Sequence, residues 1–265
     1  MKTIFLKELK FSRRSLALWC CVIGLTALFG MLEYPFISRY IGTLAPVLSS
    51  MPKLVQIMFG IYRVDFSTAL GYYVCMYFWC CLLTYTHAVY LGASIISRDQ
   101  RDKTSEYIFT KPYKRGTIVS AKAMVAAVNA FAAASVTGLL AVAALMLMKV
   151  GPEVLLKVAV SILGMFFTQL VLVALGLLCS ALSSKYKTSV LSAVAVLIAA
   201  YTVAMAIEYA GTVDYLNFLS PIRYFNALSV VEKGLNISYV GVSAGIIAVS
   251  LFLTHRFYRK KDIPV

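Results

Sequence analysis

Charge is scarce in this chain of 265 residues, and negative charge scarcest: 25 Lys and Arg stand against 11 Asp and Glu, and the four types together make up 14%. With 61% apolar residues and a mean hydropathy of +0.83, the polar surface that a water-soluble domain needs is missing, so an integral membrane protein is expected. The phosphate-cradling pattern G-x-x-x-x-G-K-S/T is absent, which leaves the chain no usual means of holding a nucleotide. H-E-x-x-H is absent too, and no apolar stretch holds a pair of carboxylates, so a hydrolytic centre has no visible base or metal site. C-x-x-C spacing does not occur. Cys20, Cys21, Cys75, Cys80, Cys81 and Cys179 all fall in apolar stretches and read as small packing residues. A cleavable signal peptide is not expected either, since the first apolar run is long and no small-x-small site follows before Glu33.

What the chain has in abundance is long apolar runs. Six are sufficient for a helix to cross a hydrocarbon core, for which about 20 residues are needed: 15–36, 68–96, 118–148, 154–182, 188–210 and 239–257. They are continuous and lack the alternation of barrel strands, so the expected fold is an all-α integral membrane protein, one transmembrane domain over 1–265 with six helices. The second and third runs exceed what a bilayer requires and must tilt or protrude.

The distribution of Lys and Arg predicts orientation. Residues 2–14, 98–122, 185–187 and 256–261 carry eighteen of the 25, and the segments facing the other way carry Arg39, Lys53, Arg63, Lys149, Lys157, Arg223 and Lys233. Positive residues are retained on the inner side, so both termini and the 98–122 interval are expected in the cytoplasm of a cell bounded by this membrane. The net charge of +14 then follows from topology and attraction to anionic lipid, and nucleic acid is not needed to explain it.

The densest charge lies between the second and third runs, where Arg98, Asp99, Arg101, Asp102, Lys103, Glu106, Lys111, Lys114 and Arg115 cannot sit in lipid. A short helix over 99–110 is expected, ended by Pro112. Tyr107, Ile108 and Phe109 next to Glu106 are either a foot pressed on a protein partner or a patch lying on the membrane surface. The order Asp99, Thr104, Glu106, Ile108, Phe109, Pro112, Arg115, then an apolar helix with Lys122 near its start, resembles the membrane subunit of ABC-2 type ABC transporters. Lys103, Ser105 and Asp99 depart from that pattern, where Gly, Leu and Glu are usual.

The resemblance implies that 98–115 is a cytoplasmic coupling segment docking on a separate ABC ATPase subunit, which would bind ATP and Mg. Asp99, Thr104, Glu106, Tyr107, Ile108, Phe109, Pro112 and Arg115 would make that contact. It further implies an exporter formed by a homodimer, or a heterodimer with a related permease, in a plasma membrane such as the bacterial inner membrane. A stand-alone secondary carrier or membrane scaffold is the rival reading. A carrier predicts internal repeats and ionisable groups at mid-membrane, and neither is found.

Residues 2–14 alternate Ile4, Phe5, Leu6 and Leu9 with Lys2, Lys7, Glu8 and Lys10, which predicts an amphipathic interfacial helix. Asn129 and Gln169 are lone amides at membrane depth, expected to bond a neighbouring helix or, failing that, to line a translocation path. His87 has no ligand partner at metal spacing. Pro52 and Pro221 are expected to start short outer helices, the second carrying Ile222, Tyr224, Phe225 and Leu228 at an interface. Gly241 and Gly245 form a small-x-x-x-small pair suited to helix contact.

Overall fold

The computed structural model describes residues 2–102, 115–211 and 214–260. Among them no strand occurs, and six helices are long and apolar enough to cross a membrane. We number the long helices α1 (Lys2–Leu32), α2 (Ala69–Arg101), α3 (Arg115–Leu147), α4 (Pro152–Leu182), α5 (Tyr186–Ala210) and α6 (Ile237–Lys260).

Local chemistry sets their ends. Thr68 caps α2 by accepting from the Gly71 amide at 3.0 Å, and Pro152 occupies the first turn of α4, where its missing N–H costs nothing. Gly211 closes α5 at φ +69°, a left-handed conformation that a side chain would resist. Pro52 stands as the cap of a short helix, Lys53–Met58, as its position predicts. Pro221 differs: it starts only a 3-10 turn, Pro221–Arg223, and a second helix, Ala227–Lys233, begins at an Asn226 cap that accepts from the Leu228 amide. Tyr224 and Phe225 between them are buried in the protein rather than laid on a surface, with the Tyr224 hydroxyl donating to the Phe218 carbonyl at 2.6 Å.

Helices α2 and α4 form the spine. Their backbones meet at Gly92 and Gly176: a Cβ on Gly92 would strike the Val173 carbonyl and lie 3.1 Å from the Gly176 Cα, and one on Gly176 would come within 2.7 Å of the Val89 carbonyl. Without a hydrophobic drive between helices in lipid, such close approach is what holds a pair together. Helix α1 packs along α3, with Gly24 against Leu140 and Val136. Helix α5 leans on α2, and α6 on α4. The Tyr73 hydroxyl lies 2.7 Å from Ser161 Oγ, and the Tyr77 hydroxyl donates to the Ser161 carbonyl at 2.9 Å, so these hydroxyls are satisfied across the spine. Outward faces of α1, α3, α5 and α6 expose Leu25, Phe29, Phe131, Leu139, Leu191, Ile198, Val249 and Phe252, a surface made for an apolar surrounding.

Two expectations change. The amphipathic stretch 2–14 is no separate element, for it forms the first turns of the single helix α1. Glu8, expected on its polar side with the lysines, is turned inward and buried with Ser12. The cause is electrostatic: a carboxylate on this face meets two cations inside the bundle. Asp99, expected to open a short helix, lies instead in the last turn of α2, which continues through Arg101.

Candidate functional site

Helices α1, α2, α3 and α6 converge at the end of the bundle where the basic residues gather. Lys122, in the second turn of α3, is fully buried. Its ammonium lies 2.7 Å from Asp99 Oδ2 and 3.2 Å from Glu8 Oε1, and it donates to the Ile95 carbonyl at 2.6 Å. Three donors therefore meet three oxygens. Arg98 Nη2 reaches the other Glu8 oxygen, Oε2, at 3.4 Å, and the Arg98 guanidinium lies 4.3 Å from the centre of the Phe11 ring. Two acids and two bases make the cluster neutral, which is the condition for keeping it out of water.

Next to the cluster α6 is tied in. Arg115 Nη1 donates to the Arg259 carbonyl at 3.2 Å. Ser120 Oγ lies 3.0 Å from His255 Nε2, while His255 Nδ1 faces the Leu251 carbonyl at 2.8 Å. A proton on Nδ1 serves that carbonyl and leaves Nε2 to accept from the serine. Arg101 chelates Asp102, with Nε 2.8 Å from Oδ1, and holds that carboxyl below the ordinary range. Its guanidinium also lies over the Tyr186 ring.

Of the residues expected to couple to an ATPase, Asp99 and Arg115 are thus found in contacts within the chain. Thr104, Glu106, Tyr107, Ile108, Phe109 and Pro112 lie outside the described residues. The cluster and its neighbour Arg115 bracket that segment: Arg98 and Asp99 precede it, Arg115 and Lys122 follow it, and Glu8 ties Arg98 and Lys122 to α1.

The structure does not bring Asn129 and Gln169 together. Asn129 on α3 is buried, donates from Nδ2 to Ser12 Oγ at 3.1 Å, and lines a polar cavity of about 110 Å³ with His87, Ser94, Arg98 and Arg101. Gln169 on α4 is buried, does not line that cavity, and has no hydrogen-bond partner among the described residues. Sequence reasoning read Lys122 only as part of a motif and Glu8 only as surface. The available signal was an acid one turn before Ser12 on a helix otherwise basic at its start.

The opposite end of the bundle has its own pair, Glu208 with Arg223, and Arg223 Nε donates to Asn217 Oδ1 at 3.1 Å. Gly241–Gly245, which with Ser243 also reads G-x-S-x-G, lies within helix α6 and not on the strand-to-helix elbow of a serine nucleophile. No group of three metal-ligating side chains occurs among the described residues.

A sequence model of one family, described as ABC-2 family transporter protein, matches residues 2–263. The chain belongs to the ABC-2 transporter family. As an ABC-2 permease it is a multi-pass membrane subunit of an ABC transporter, and subunits of this kind are in general not themselves catalytic. No curated protein matches the chain.

Proposed function

We propose that this permease works as a dimer, with itself or a related chain, as the membrane half of an ATP-driven exporter in a plasma membrane, with both termini in the cytoplasm. A separate ABC ATPase binds ATP and Mg, and its closure presses on the 99–111 foot, where Tyr107, Ile108 and Phe109 make the buried contact and Glu106 pairs with a basic group. Displacement of the foot then alternates the access of the translocation path.

The observation that carries this reading is the clamp at the roots of 103–114. Arg98 and Asp99 on α2, Lys122 on α3 and Glu8 on α1 are held in one buried, neutral network. A push on the segment between α2 and α3 cannot be absorbed by fraying of its ends, because opening the network exposes unpaired charges to a low-dielectric surrounding, at a cost of several kcal/mol. The force passes instead into α2 and α3, each of 33 residues and so about 50 Å long.

The experiment is co-purification with the ATPase together with permease-stimulated ATP hydrolysis. Glu106→Arg and Phe109→Asp each abolish both while membrane insertion stays intact. Retention of stimulated hydrolysis by both variants would overturn the assignment of the foot.

A further inference from the structure

We propose that the polar cavity between α1, α2 and α5 is a binding site for an anionic phospholipid, whose phosphate is held by Arg98 and Arg101 and whose acyl chain lies in the apolar groove beside it. This does not rest on ATPase coupling.

One face of α2 carries His87, Tyr90, Leu91, Ser94, Arg98 and Arg101, the spacing of a single helical stripe, and all six line the cavity. Ser12, Ser15 and Leu16 of α1, Asn129 of α3 and Tyr186 of α5 form the rest of its described walls. Among the described residues that line it, the charged groups are the two arginines; Glu8 and Asp102, which pair with them, are not among those lining residues. The guanidinium groups are oriented by rings, Arg98 over Phe11 and Arg101 over Tyr186. A guanidinium has five donors, more than one carboxylate takes, and its planar fork matches a phosphate. A volume of about 110 Å³ admits a group of a few heavy atoms, since one water takes about 30 Å³.

Deeper in the slot two buried groups ask for a ligand. His87 Nδ1 and Asn129 Oδ1 have no hydrogen-bond partner among the described residues, although both residues are at most 2% exposed. A buried polar atom left alone costs free energy that a bound molecule restores. Water carried in with the bound headgroup supplies the missing partners.

Tyr90 also borders a groove of about 570 Å³ lined by Trp19, Leu82, Val89, Leu197, Ile198 and Met205, running from Tyr90 away from the basic end. Trp19 of the groove packs against His87 of the slot with ring centres 5.3 Å apart, so the two compartments are adjacent. A cationic polar slot at the basic end, with an apolar groove beside it toward the middle of the bundle, has the order of a lipid: phosphate, then chain.

The test uses the full chain in detergent, titrated with short-chain phosphatidylglycerol, phosphatidylcholine of the same chain length, or inorganic phosphate, and read by native mass spectrometry and thermal shift. Phosphatidylglycerol should bind about tenfold more tightly than phosphatidylcholine, whose phosphate is the same but whose choline brings a cation toward the two arginines. Arg101→Gln should weaken phosphatidylglycerol more than phosphatidylcholine, so that the preference is lost, and Ile198→Trp, which fills the groove, should weaken both lipids by the same factor. Should Arg101→Gln fail to fold, Ser15→Glu, placing a carboxylate at the slot, should reverse the preference. Equal binding of the two lipids, indifference to both slot variants, or stabilisation by inorganic phosphate alone that lipid does not exceed would each overturn the proposal. The last result would assign the slot to a soluble phosphate.

Discussion

An ammonium group with no water around it must find its counter-charges inside the protein, and Lys122 finds two carboxylates and a carbonyl within 3.2 Å. Removing it leaves Glu8 and Asp99 facing each other with only Arg98 to offset them. Lys122→Met should therefore destabilise the chain by about 3–5 kcal/mol, the range for breaking a buried pair. Adding Asp99→Asn to that variant should recover part of the loss, since a neutral amide costs less to bury than an unpaired anion. Thermal denaturation of the detergent-solubilised protein decides both. If the single and double variants melt alike, the charges are not coupled as the distances imply. Lys122→Arg is not a conservative repair, because a planar fork does not fit a space shaped for one compact ammonium.

Among the helices, the pair α2 and α4 depends on two residues without side chains. Gly92→Ala and Gly176→Ala each drive a methyl into the opposing backbone and should lower the yield of folded protein sharply. Gly241→Ala and Gly245→Ala should leave it unchanged, because a Cβ at either position meets nothing within 4 Å. Membrane-fraction yield and size-exclusion profile compare the four. The contrast also shows what sequence can tell. Gly241 and Gly245 have the spacing associated with helix contact, yet they do not pack within the chain. Gly92 and Gly176 have no such local pattern, being partners across two helices. Continuous apolar runs made all six long helices legible, to within a few residues at most ends. The joining of 2–14 to the first span was not, because the amphipathic reading assigned Glu8 by its hydrophilicity, and only its partners on α2 and α3 explain why it turns inward.

For the whole molecule, the asymmetry of basic residues was legible, and the contact of residues far apart in sequence was not. Glu8, Asp99 and Lys122 belong to three helices, and no spacing along one helix announces their meeting. Orientation can be checked directly. A cysteine replacing Arg256 should react with a membrane-impermeant thiol reagent only in opened cells, and one replacing Lys233 in intact cells. The opposite pattern would reverse the topology that the lysines and arginines indicate. The background is favourable, since five of the six native cysteines are buried or half-buried and Cys21, the exposed one, lies within helix α1.

The far-separated members of the cluster also impose an order on biosynthesis. The ribosome delivers Glu8 first, Arg98 and Asp99 some ninety residues later, and Lys122 only when the third helix has begun to emerge. Until then the nascent protein holds more acid than base at that spot, so its first two helices cannot settle in their final register. Release of the growing polypeptide from the insertion machinery should wait for α3, and fragments stopped before residue 122 should be left to proteolysis while longer ones persist.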